Sequence, residues 1–127
     1  TLADLQALTA RLAAERRPYV VLTDFSAHWI RSPQRNPLPC EWPQETELGF
    51  HRDLFRRVFL ALRDLPPDTR LVVQKFLVAD GGWQRTPVPD TPYYFVQTWV
   101  RRHCAPTGET EHFTIHSPPP RDAIKGP

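Results

Sequence analysis

The chain has 127 residues, 40% of them hydrophobic and 24% charged, with a mean hydropathy of −0.48. That is the size of one ordinary domain with the balance of a globular protein, which excludes two separately buried cores, a disordered chain and a fibrous one. The formal charge of +2, from 16 basic and 14 acidic residues, is too small to announce a nucleic-acid or membrane-surface partner, and no apolar run approaches the ~20 residues of a membrane helix.

The basic residues are 14 arginines and only two lysines, Lys75 and Lys125, while proline stands at 15, asparagine occurs once and methionine is absent. The skew fits a bacterial, GC-rich genome, and with so many loop prolines it raises the expectation of a heat-adapted protein. The segment TLADLQALTARLAAERR at residues 1–17 has no basic stretch followed by an apolar core, so a cytoplasmic location is expected. Cys40 and Cys104 lack the short spacing of a metal motif and are read as reduced thiols.

In chain order, Leu2, Leu5, Leu8 and Leu12 recur at helical spacing and predict a helix over 2–16, stopped by Pro18. Tyr19 to Phe25 is rich in β-branched and aromatic residues and predicts a strand. Residues 31–44, RSPQRNPLPCEWPQ, form a proline-rich loop that contains Cys40 and Trp42. A second helix opens at Glu45 or Thr46, carries Leu48, His51, Phe55, Val58, Leu62 and Leu65 on one stripe, and stops at Pro66 and Pro67. Arg52, Arg56, Arg57 and Arg63 fall largely on its other side, interrupted by Asp53 and Asp64, as on a solvated face.

Three further strands are predicted: Arg70 to Val78, Tyr93 to Arg102 and Glu111 to Ser117, separated by turns near Asp80–Gly82 and Pro106–Gly108. Their short connections favour an antiparallel meander. The resulting fold class is α+β, an antiparallel sheet of about four strands with two helices on one face, in the order α-β-α-β-β-β. Residues 1–120 form this domain and 121–127 a loose tail.

Function rests on the segment YYFVQTWVRR at 93–102. Read as a strand it places Tyr93, Phe95, Gln97, Trp99 and Arg101 on one face and Tyr94, Val96, Thr98, Val100 and Arg102 on the other. Neither face is plainly polar, so one meets the helices and the other a partner chain, a ligand or the long loops of its own domain. The leading expectation is a small binding protein without a catalytic site that self-associates as a homodimer and contacts a protein partner through this aromatic sheet face. Its contact residues are Tyr93, Phe95, Trp99 and Arg101, with Arg102 beside them and Trp42 of the long loop covering them.

A first alternative is a single-stranded nucleic-acid binder that uses Tyr93, Phe95 and Trp99 with Arg101, Arg102 and Arg70. A second is a small metal- or ligand-dependent enzyme with a pocket between the sheet and loop 31–44, using His28, His51 or His112. In the last strand His112, Thr114 and His116 point one way, toward solvent, and strand geometry sets the two histidines roughly 13 Å apart, too far for one metal. Asp24, Ser26 and His28 lie in line at about 6.6 Å intervals, which does not make a nucleophile–base relay. No catalytic residue, metal ligand or cofactor is therefore assigned.

Overall fold

The computed structural model describes residues 2–22, 37, 52–77, 86–89 and 94–119. Helix α1 spans Leu2–Ala14. Leu5, Leu8 and Leu12 form its buried stripe, and Asp4 in the first turn and Arg11 in the last suit the helix dipole. The helix is closed two residues ahead of Pro18. Arg16 adopts φ 56°, its amide donates to the Ala13 carbonyl at 3.0 Å, and the Arg17 amide donates to the Leu12 carbonyl at 2.9 Å. This doubly bonded closure is usually built on glycine, because a left-handed residue sets its Cβ against the backbone.

The remaining elements are β1 (Tyr19–Leu22), α2 (Arg52–Arg63), β2 (Arg70–Gln74), α3 (Phe95–His103), β3 (Pro106–Glu109) and β4 (Phe113–His116). The sheet order is β1-β2-β4-β3. β1 runs parallel to β2, with Val21 opposite Val72. β4 runs antiparallel to β2, with Val72 opposite Ile115. β3 pairs antiparallel with β4 across a register slip between Pro106 and Gly108, and it is exposed along its whole length. Beyond β2, the Leu77 amide donates to the Thr86 carbonyl (2.8 Å) and the Val88 amide to the Lys75 carbonyl (3.0 Å), forming a short antiparallel ribbon.

Alternation along the central strands divides the interior into two layers, one on each side of the sheet. Val20, Leu22, Leu71 and Val73 face one way and pack with Val58, Phe59, Leu62 and Leu65 of α2 and its exit, and with Val96, Val100 and Cys104 of α3. Tyr19, Val21, Val72, Phe113 and Ile115 face the other way and pack against Leu5, Leu8 and Leu12 of α1.

The α+β class stands, with a mixed sheet. Four expectations are corrected. First, residues 95–103 are a helix, not a strand. Alternation would leave apolar side chains on both faces, whereas helical spacing gathers Val96, Val100 and Cys104 on one buried stripe and turns Arg102 and His103 outward. Second, the helices do not share a face, because β1 and β2 are apolar on both sides and each side requires a cover. Third, the sheet is not wholly antiparallel. The chain leaves β1, passes through α2 and re-enters alongside as β2, as parallel neighbours require. Fourth, the expected turn at Pro106–Gly108 is instead the edge strand β3. The loop 31–44, apart from the exposed Pro37, the turn at 80–82 and the tail 121–127 lie outside the described residues.

Substituting Arg16→Gly relieves the left-handed backbone and is expected to raise stability by about 1 kcal/mol. The readout is a higher urea midpoint with an unchanged denaturant slope.

Candidate functional site

Of the six residues singled out from sequence, Trp99, Arg101 and Arg102 lie on α3, Phe95 opens the same helix, and Tyr93 and Trp42 lie outside the described residues. The helix places them differently from a strand. Trp99 is half-buried at the seam between α2 and α3. The rings of Phe59 and Trp99 are nearly perpendicular, with centroids 5.6 Å apart at 88°, and the exposed His103 imidazole lies tilted against the Trp99 ring at 5.1 Å and 35°. Arg101 is half-buried and its Nη2 donates to Thr98 Oγ1 at 3.3 Å. Arg102 is exposed. On α2, Arg56 stands one turn before Phe59 and Arg63 one turn after, which brings both to the Trp99 side of that helix. Arg56 is exposed, and Arg63 Nε donates to Asp64 Oδ1 at 3.1 Å. Arg70, the other arginine considered, opens β2 and donates to the Thr69 carbonyl at 3.2 Å.

Charge is unevenly distributed. The sequences of α2 and α3 carry six arginines against one aspartate, a formal +5, while α1 carries one arginine and one aspartate. Among the described helices, the two that cover one face of the sheet are therefore more basic than the one that covers the other.

A second polar cluster was missed in the sequence because its members are more than a hundred residues apart. Asp4 Oδ2 accepts from Thr110 Oγ1 (2.8 Å), from the His112 amide (2.9 Å) and from His112 Nδ1 (3.1 Å). Alongside, Lys75 Nζ donates to the Thr110 carbonyl and pairs with Glu109 Oε2 at 2.7 Å. The Phe76 ring meets His112 edge-on at 6.5 Å. Burial pushes the Asp4 carboxyl up, but the Thr110 hydroxyl, the His112 amide and the His112 ring together hold it below its ordinary value. With Nδ1 bonded to Asp4, a neutral His112 ring carries its lone pair on Nε2, the orientation a general base would need. The same carboxylate also closes the β3–β4 turn through two further bonds, and the Thr110 hydroxyl is itself spent on it. Its geometry is that of a clasp between α1 and the hairpin.

His116 is not solvent-facing; it is 4% exposed. Its Nδ1 donates to the Cys104 carbonyl at 3.1 Å, and its Nε2 lies 3.0 Å from Thr114 Oγ1. Burial lowers its pKa, the Cys104 carbonyl opposes that shift, and the nearby Arg101 charge adds to it. Cys104 itself carries a free, buried thiol pushed up to about 11 by burial, so it is not a thiolate nucleophile. Gln97 is fully buried, and its amide has no hydrogen-bond partner among the described residues. No group of three or more His, Cys, Asp or Glu side chains among the described residues is arranged to hold a metal. His28, His51, Asp24 and Ser26 lie outside them.

No family model, curated protein or solved structure matches the chain.

Two pH effects follow. Asp4 has a lowered folded pKa, so its stabilising contribution is present above the ordinary carboxylate value of 3.8 and is lost as pH falls through the folded value. Asp4→Ala is expected to cost about 1–3 kcal/mol at neutral pH, and chemical denaturation should show the difference from the unaltered protein shrinking in acid. His116 also has a lowered folded pKa, so its contribution is complete above the ordinary value of 6.5 and falls away as pH drops toward the folded value. An NMR titration of its imidazole C–H signals should give a midpoint below pH 6.5.

Proposed function

We propose that this chain is a small binding protein that acts without catalysis of its own and presents the α2–α3 seam around Trp99 to a macromolecular partner. The observation that supports this reading is the Trp99 ring, half-buried and held between Phe59 and His103 with arginines on both helices around it. Tryptophan and arginine are the residues most often found to carry interface energy. A ring already fixed by its neighbours loses little rotamer freedom when a partner covers it.

The occupant of the seam is a partner of opposite charge, and the reason is electrostatic. Two copies joined through this surface about a two-fold axis would bring each basic layer against its own copy, and like charges facing each other oppose association. Self-association was expected from the sequence on the basis of an aromatic sheet face, and that segment is the helix α3.

Sedimentation analysis at high micromolar concentration and moderate salt is expected to show a monomer. A dimer that Trp99→Ala dissociates, in a variant whose circular dichroism is unchanged, would return the seam to self-association and overturn this reading.

A further inference from the structure

We infer that the partner of the α2–α3 seam is single-stranded nucleic acid, with its phosphates on the arginines and a base seated against Trp99; the inference rests on the proposed binding role of that seam. Three observations carry it. The first is charge. The two helices hold six arginines against one aspartate, a formal +5, with Asp64 just past the end of α2 paired to Arg63. A phosphate backbone is the polyanion such a layer attracts most strongly, because each contact also releases condensed counterions.

The second is the kind of cation. The basic residues of α2 and of α3 apart from His103 are arginine, as nearly all are in this chain, so it is their chemistry and not their selection that bears on the partner. A guanidinium offers a planar fork that meets two phosphate oxygens at once and stacks on a base, which an ammonium does not. Arg56 and Arg63 are seven residues apart, about 10 Å along the helix axis, so they reach separate phosphates.

The third is Trp99. Its ring touches Phe59 of α2 and His103 of α3, on the helices that carry the six arginines. A single strand can present an unstacked base to that ring, whereas a duplex keeps its bases inside. Aromatic seats are tolerant of base identity, so the binding expected here is weakly sequence-selective. An acidic peptide satisfies the charge but has no base to place on the indole.

The test is fluorescence anisotropy with a labelled oligothymidylate, its duplex with oligoadenylate, and a labelled polyglutamate of similar length. With Arg56, Arg63 and Arg102 each on a phosphate, log affinity for the single strand should fall with log salt at a slope of about −2. The double variant Arg56→Gln with Arg63→Gln should reduce that slope to about −0.7. Trp99→Ala should weaken binding roughly tenfold and leave the slope unchanged, with circular dichroism confirming that both variants remain folded.

Polyglutamate bound in preference to oligothymidylate, and lost in Trp99→Ala, would overturn the nucleic-acid partner while leaving the seam in place. Oligothymidylate binding that is indifferent to Trp99 and to the two arginines would overturn the seam itself. Equal binding of duplex and single strand would overturn the base contact, and no binding of the oligothymidylate at low salt would overturn the inference outright.

Discussion

β2 is apolar on both faces and paired on both edges, and the other elements are arranged to satisfy it. Leu71 and Val73 face one core, Val72 faces the other, and all three are fully buried. Each fully buried valine or leucine contributes roughly 1.5–3 kcal/mol relative to exposure, so a cover on only one side would forfeit much of that contribution. The backbone of the strand imposes the same demand laterally, since buried amides and carbonyls must be paired. β1 supplies one edge and β4 the other. α1 then covers one face, and α2 with α3 the other.

The position of Trp99 is a consequence of that arrangement. α3 is fixed on the sheet by Val96 and Val100, and its C-terminal exit is fastened to β4 through the bond between His116 and the Cys104 carbonyl. With those contacts set, helical geometry turns the next side of α3 toward α2, and Phe59 meets Trp99 there. On the opposite face the Asp4 carboxylate fastens α1 to the β3–β4 turn. β4 is thus held by one polar tie on each side, both involving a histidine, one half-buried and one buried.

What could be read from the amino-acid order was the periodic, local part of the fold. The leucines of α1, the Val58–Leu62–Leu65 part of the α2 stripe and the β-branched runs of β1 and β2 each follow one period, and the described elements fall within the spans it predicts, while the expected start of the second helix at 45–51 lies outside the described residues. The segment around Trp99 was misread because its residue types favour a strand while its spacing favours a helix. Val96, Val100 and Cys104, four apart, were the signal available, and a strand with no polar face was itself a warning. The parallel β1–β2 pair and the Asp4–His112 clasp are contacts across long separations that no local period encodes. The basic layer was also hidden, because Asp53 and Asp64 beside the α2 arginines suggested a balanced surface until α3, which lacks acidic residues, proved to lie next to it.

The outer strand β3 has a consequence for how molecules of this chain meet one another. An exposed strand ordinarily offers its free amides and carbonyls as a template on which a neighbour can add, and sheets grow into fibres by that route. Here Pro106 has no amide to give, the slip between Pro106 and Gly108 breaks the regular spacing, and Glu109 ends the strand with a charge. Those features deny an incoming strand a continuous row of partners, so on this side the sheet ends with the molecule.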